Sequence, residues 1–176
     1  MEQDKWKKLT NIFIIVLSII LIFVFSYTWD DWAWGSTLGI NRLKSWFDNY
    51  NGRYLGNILV IIITRSRILK TILMFFTYVG IFKMINKITN NKNWHLSLLL
   101  LLLMPLPIFR QTIVWASGFA NYVFSTFMVL YILSIVIKNE EDFLVKQGFA
   151  LMFFSIVGSL FVENVTIFHF SFSLIL

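Results

Sequence analysis

Short polar clusters interrupt an otherwise apolar chain, and their side chains are of the kinds that handle hydroxyl and phosphate chemistry. Asp30 and Asp31 stand side by side after the first apolar run. At a border between low dielectric and water an aspartate keeps its charge while its surroundings tune its proton affinity. That suits a general base, a ligand for a divalent cation, or an acceptor that orients a sugar hydroxyl. A polar helix end uses the same residues and does no chemistry. Asn51-Gly52-Arg53 sets a turn signal beside an arginine, whose guanidinium can grip a phosphate through two parallel hydrogen bonds or stay as a solvated charge on a hairpin turn.

Further along, Trp115-Ala116-Ser117-Gly118-Phe119-Ala120-Asn121-Tyr122 opens an apolar run. Its glycine permits close backbone approach, Trp115 and Tyr122 offer stacking faces, and Asn121 is a residue type that caps helices. A capped helix with an interfacial aromatic belt explains the same octet. Glu163-Asn164 places a carboxylate between two apolar runs, where it must be paired, hydrated or functional. His169, deeper in the following run, reads as a buried hydrogen-bonding residue rather than a catalytic one. Acids, arginines and aromatic faces are together the parts needed to join a sugar to an acceptor from a lipid-phosphate donor.

The elements that must position these residues are membrane-spanning helices. Of the 176 residues, 58% are hydrophobic and 14% charged, and the mean hydropathy is +0.75. A bilayer core needs roughly 20 apolar residues per helix, so the length admits about five or six crossings. The net charge of +6 comes from basic residues scattered between apolar runs, a pattern that fits anionic lipid headgroups and not nucleic acid. Cysteine is absent, which removes disulfides, thiol nucleophiles and cysteine metal sites. His95 and His169 are too far apart for a zinc motif.

Leu9 to Tyr27 reads as an uncleaved first span. Thr28 to Tyr54 is the longest polar stretch, an outer loop lying on the membrane surface with its tryptophans and tyrosines in the headgroup layer. Leu55 to Thr64 would make a helix of about 15 Å, too short to cross, and so reads as surface-lying or re-entrant. Further spans are expected at Thr71 to Ile85, Trp94 to Leu106, Tyr122 to Ile137 and Phe143 to Val162, with a break from Ile108 to Asn121 after Pro105 and Pro107. Phe168 to Leu176 reads as an unfinished sixth span. The expected fold is thus an all-α polytopic bundle, a single transmembrane domain over 1–176 that forms the N-terminal part of a longer protein.

Lysine and arginine bias sets the orientation. Lys83, Lys87, Lys92, Lys138 and Lys146 flank breaks on the N-terminal side, which places the N-terminus in the cytoplasm and turns Asp30, Asp31, Arg53, Arg110, Asn121 and Glu163 outward. Arg65, Arg67 and Lys70 run against this rule.

At these residues the chain resembles an uncharacterised bacterial multi-pass membrane family, domain of unknown function sixty fifty-six, related to the GT-C-type glycosyltransferases. The matching pieces are Asp30-Asp31-Trp32, Asn51-Gly52-Arg53, Trp115 with Gly118-Phe119-Ala120-Asn121-Tyr122, and Glu163-Asn164, in the family's order. The resemblance implies a bacterial cell-membrane enzyme that modifies a cell-envelope glycan on the outer face from a polyprenyl-phosphate-linked sugar. It implies catalytic roles for Asp30 or Asp31, as base or as holder of a divalent cation, and a donor-phosphate role for Arg53 or Arg110. Asn51, Trp115, Asn121, Tyr122, Glu163 and Asn164 would complete the substrate site. GT-C enzymes commonly have more spans than this chain can hold, so it would correspond to a GT-C-like N-terminal half, inactive alone. A transporter or flippase component and a non-enzymatic membrane scaffold are the competing readings; spans with few central ionisable residues favour chemistry at the edge over transport.

Overall fold

A computed structural model describes residues 2–90, 103–137 and 145–173, and every regular element among them is helical. We label the helices α1 (Glu2–Val24), α2 (Trp29–Gly35), α3 (Thr37–Lys44), α4 (Tyr54–Arg65), α5 (Arg67–Ile88), α6 (Leu106–Phe109), α7 (Ala116–Val136), α8 (Val145–Ser159) and α9 (Glu163–Ser173). Two of them, α5 and α7, are long and apolar enough to cross a membrane. Of the expected third span only residues 103–106 are described, and residues 138–144 and 174–176 also lie outside the described residues.

The break between α4 and α5 has a local cause. Ser66 leaves the helix with extended backbone and its hydroxyl accepts from Leu69 N–H, so one helix ends and the next is capped at a single residue. α5 is therefore longer than the apolar run Thr71 to Ile85 and extends from Arg67 to Ile88. α5 runs antiparallel to α1 and parallel to α7, with Tyr78 against Phe119 near one end and Ser134 reaching Met84 toward the other. α8 returns along α7 through the Tyr131–Phe154 ring contact. Large apolar side chains remain exposed along α1, α5 and α8, among them Ile12, Val24, Phe76, Phe149 and Phe153.

The short Leu55–Thr64 run, expected to be surface-lying in the membrane or re-entrant, forms α4 at the centre of the protein, with Val60 and Ile63 at 0% exposure. Packing against α2, α3, α5 and the start of α7 surrounds it with apolar partners. The polar stretch 28–54 is not a simple loop, since it holds α2 and α3 and buries Trp34 and Phe47 in the core. Nor is 108–121 a break. Pro105 and Pro107 sit at the start of α6, where a missing N–H costs nothing, and α6 continues as a π turn through Arg110–Val114. Only Trp115 is extended before α7 begins at Ala116, and a second π turn, Phe119–Val123, lies within α7.

At Gly56, α4 meets the Asn121 side chain of α7 and the turn before α9. A Cβ there would collide with the Asn121 side-chain oxygen and lie 3.2 Å from the Phe161 carbonyl, so glycine is what leaves room for both. Gly56→Ala is expected to destabilise the fold by about 1–3 kcal/mol through overpacking; a lowered midpoint of thermal unfolding in detergent checks it.

Candidate functional site

The capping box at the start of α2 brings Asp31 inward. Thr28 N–H and Thr28 Oγ both donate to Asp31 Oδ2 at 3.0 Å. The same carboxylate reaches across the fold to the start of α7. Ala116 N–H donates to Oδ2 at 3.2 Å, and Ser117 donates to Oδ1 through its N–H at 2.9 Å and its hydroxyl at 2.8 Å. Asp31 is 1% exposed. A carboxylate offers about four lone-pair positions, and these donors occupy them all. Asp31 thus caps a helix 85 residues away and has no lone pair left for a cation, whereas Asp30 beside it is exposed. The pair that looks alike in sequence divides into one buried and one open carboxylate.

One turn into α7, Asn121 donates its amide to the Ser117 carbonyl, and its side-chain oxygen lies against Gly56. Asn121 does not cap the helix; Asp31 takes that role from outside the segment. Gly118 lets the half-buried Trp115 ring fold over the helix, since a Cβ at Gly118 would come within 2.6 Å of it.

Arg53 and Glu163, 110 residues apart, meet in an ion pair. Arg53 Nε donates to Glu163 Oε2 at 3.0 Å and to Oε1 at 3.2 Å. The guanidinium also interacts with the Tyr122 hydroxyl. Desolvation opposes its charge, but Tyr122 and Glu163 together raise its pKa, so it stays cationic. Glu163 starts α9, and its own backbone N–H, then Arg53, hold its pKa below the ordinary glutamate range. Asn51 Oδ1 accepts from both Arg53 N–H at 3.1 Å and the Asn57 amide at 2.8 Å, which fixes the turn that presents Arg53.

A cleft of about 220 Å³ opens beside this pair, between α7 and the start of α9. Asn121, Tyr122, Ser125, Thr126 and Asn164 line it together with Val129, Val162 and Val165, and its surface is mostly apolar. Of the residues singled out in sequence, Asn51, Arg53, Asn121, Tyr122, Glu163 and Asn164 therefore gather in one region, and Asp31 joins it through Ser117. Arg110 is exposed in its π turn outside this hydrogen-bonded set, and the side chain of His169 lies outside the described residues. Asn57 and Ser125, which belong to the set, carry no sequence signal, being small polar residues inside apolar helices. No cluster of three His, Asp or Glu residues fit to hold a metal occurs among the described residues.

Comparison of the chain with protein-family models, with curated proteins and with solved structures finds no match.

Asp31→Ala would strand buried donors on Thr28, Ala116 and Ser117, each costing on the order of 1–3 kcal/mol. Asp31→Asn turns one acceptor into a donor that faces other donors. Both variants are expected to unfold at markedly lower temperature than the parent, with Asp30→Asn close to it. Glu163 contributes a separate pH dependence. Because its folded pKa is depressed, its stabilisation is complete above the unfolded value of about 4.3 and disappears as pH falls through the folded value. Thermal melts from pH 6 down to about pH 3 should show a shallower loss for Glu163→Gln than for the parent.

Proposed function

We propose that this chain is a multi-pass bacterial membrane protein of the GT-C glycosyltransferase type, whose polar end transfers sugar from a polyprenyl-phosphate carrier to a cell-envelope glycan. The observation that carries the reading is the Arg53–Glu163 ion pair at the polar end of the helices, with Tyr122 and Asn164 in the wall of a neighbouring cleft. In a bilayer this edge would lie at the headgroup level, where a lipid phosphate is found, and the exposed apolar faces of α1, α5 and α8 would face the acyl chains. A five-span arrangement with the N-terminus inside follows from the sequence pattern and belongs to the same proposal.

The bonds to Glu163 use Arg53 Nε, so the terminal N–H groups not engaged by Tyr122 can take phosphate oxygens. Glu163 holds the guanidinium in place and Asn51 fixes its turn. In the transfer step an acceptor hydroxyl attacks the anomeric carbon, its proton passes to a carboxylate, and the bond from that carbon to the phosphate oxygen breaks. The negative charge that builds on the departing lipid phosphate is met by Arg53. Between the two acids, Asp30 is the better base because it is exposed, while Asp31 positions α7.

A scaffold without catalysis is the second reading, and a specific observation favours it: Asp31 is saturated and Arg53 already has a counter-ion. The two separate in an assay of the full-length protein in proteoliposomes with labelled polyprenyl-phosphate sugar. Arg53→Ala is expected to reduce transfer by about two orders of magnitude or more, the scale of losing one preorganised charge-stabilising group, with insertion unchanged. Transfer at the parental rate in both Arg53→Ala and Asp30→Asn would eliminate the catalytic assignment.

A further inference from the structure

Asn51 is the one asparagine in the chain followed by glycine, and the fold gives no reason for that glycine. Gly52 is exposed, its φ is not positive, and a Cβ built on it would meet nothing within 4 Å. Gly56 and Gly118, by contrast, each leave room for a packed neighbour. What glycine at this position does supply is chemical. With no side chain to shield it, the Gly52 nitrogen is open to attack the side-chain amide of the residue before it.

The structure arranges that amide for the reaction. Asn51 Oδ1 accepts from Arg53 N–H at 3.1 Å and from Asn57 Nδ2 at 2.8 Å. The ring closed by the Arg53 bond runs through both Asn51 Cγ and the Gly52 nitrogen, so the side chain is folded back over the atom that would attack it. Two N–H donors on one carbonyl oxygen make its carbon more electrophilic. They are already aimed at the atom on which negative charge collects when a nucleophile adds. Asn57 is 2% exposed within α4, so its donor is fixed by packing. The departing nitrogen, Asn51 Nδ2, carries no hydrogen bond among the described residues.

We propose that Asn51-Gly52 is a self-modification site, at which the folded chain converts Asn51 to aspartate and isoaspartate. The Gly52 nitrogen gives its proton to hydroxide and attacks Asn51 Cγ. The bond from Cγ to Nδ2 then breaks, ammonia leaves after regaining a proton from water, and a cyclic succinimide remains. Water adds to one of its carbonyl carbons and reopens the ring. Opening at Cγ gives aspartate; opening at the main-chain carbonyl carbon gives isoaspartate, whose backbone runs through Cγ and is longer by one carbon. The net change is one water taken up and one ammonia released.

Both products act on Arg53. Aspartate keeps an oxygen for the same two donors and places a full negative charge two residues from the guanidinium, ahead of the positive end of α4. Isoaspartate lengthens the turn that presents Arg53 to Glu163. A phosphate at Arg53, as in the transfer reading, would be held more weakly in either case. The modification itself does not rest on that reading.

The test uses the full chain in lipid nanodiscs, incubated at mildly alkaline pH in water enriched in heavy oxygen, with a parallel sample unfolded in guanidinium chloride. Peptide mass spectrometry should find heavy oxygen entering at Asn51 ahead of every other asparagine, with isoaspartate among the products. Conversion is expected to be at least as fast in the folded protein as in the unfolded chain. Gly52→Ala, for which there is open space, should slow it about tenfold or more. Asn57→Ala removes one donor and should slow it by a similar factor in the folded protein alone; if that variant does not fold, Gly52→Ala decides. Slower conversion in the folded protein than in the unfolded chain overturns the proposal, and so does conversion of Gly52→Ala at the parental rate. Conversion at Asn51 in a protein that transfers no sugar would uphold the site and remove the enzyme reading.

Discussion

Hydrogen bonds from Thr28, Ala116 and Ser117 converge on the carboxylate of Asp31, and through them the segment after α1 is locked to the first turn of α7. A buried carboxylate is costly unless fully bonded, and a helix start exposes N–H groups that need acceptors, so each removes the other's penalty. The arrangement also sets an anion at the positive end of α7. Where α7 begins then determines the rest of the polar edge. Asn121 falls one turn later against Gly56, Tyr122 beside Arg53, and Ser125 at the wall of the cleft. Losing the clamp would free the start of α7 and scatter the groups that depend on it.

Cations satisfy the opposite ends of the helices. Lys70 Nζ donates to the Phe25 carbonyl just beyond α1, 2.6 Å away, and lies 4.7 Å from the Tyr27 ring centre. Arg65 reaches the carbonyls of Trp34, Ile61 and Ser36, and Arg67 lies over the Phe23 ring. These are the same three charges that ran against the lysine and arginine bias. Their place is set by unsatisfied carbonyls and aromatic faces at the ends of α1 and α2, so they have a local use that a count of loop charges ignores.

Local signals in the chain were readable where the cause was local. The turn at Asn51-Gly52-Arg53 is made by Asn51 on its own backbone, and the apolar runs of α5 and α7 are visible as runs. What was hidden depends on contacts distant in sequence. Nothing near Ala116 announces that its cap is Asp31, so the start of α7 was set too late, at Tyr122. Nothing in Glu163-Asn164 names Arg53 as its partner. α4 looked peripheral because it is short, yet shortness limits what a helix can span and not how deeply it can be packed. The division between Asp30 and Asp31 had one local signal, the capping-box spacing from Thr28 to Asp31, but the burial of Asp31 depends on its distant bonds to Ala116 and Ser117.

The π turn at Phe119–Val123 gives α7 one residue more than an α-helix would use over that stretch. Residues before it face α2 and Asp31, and residues after it face α5 and α8. The extra residue acts as a phase shift between these two halves, each of which keeps its own register. The polar end of the helix is thus uncoupled from the apolar end in rotation while remaining continuous with it. Changes that repack the half against α5 and α8 need not turn Asn121 and Tyr122 away from the cleft, and the edge can diversify without re-aiming the apolar part of α7.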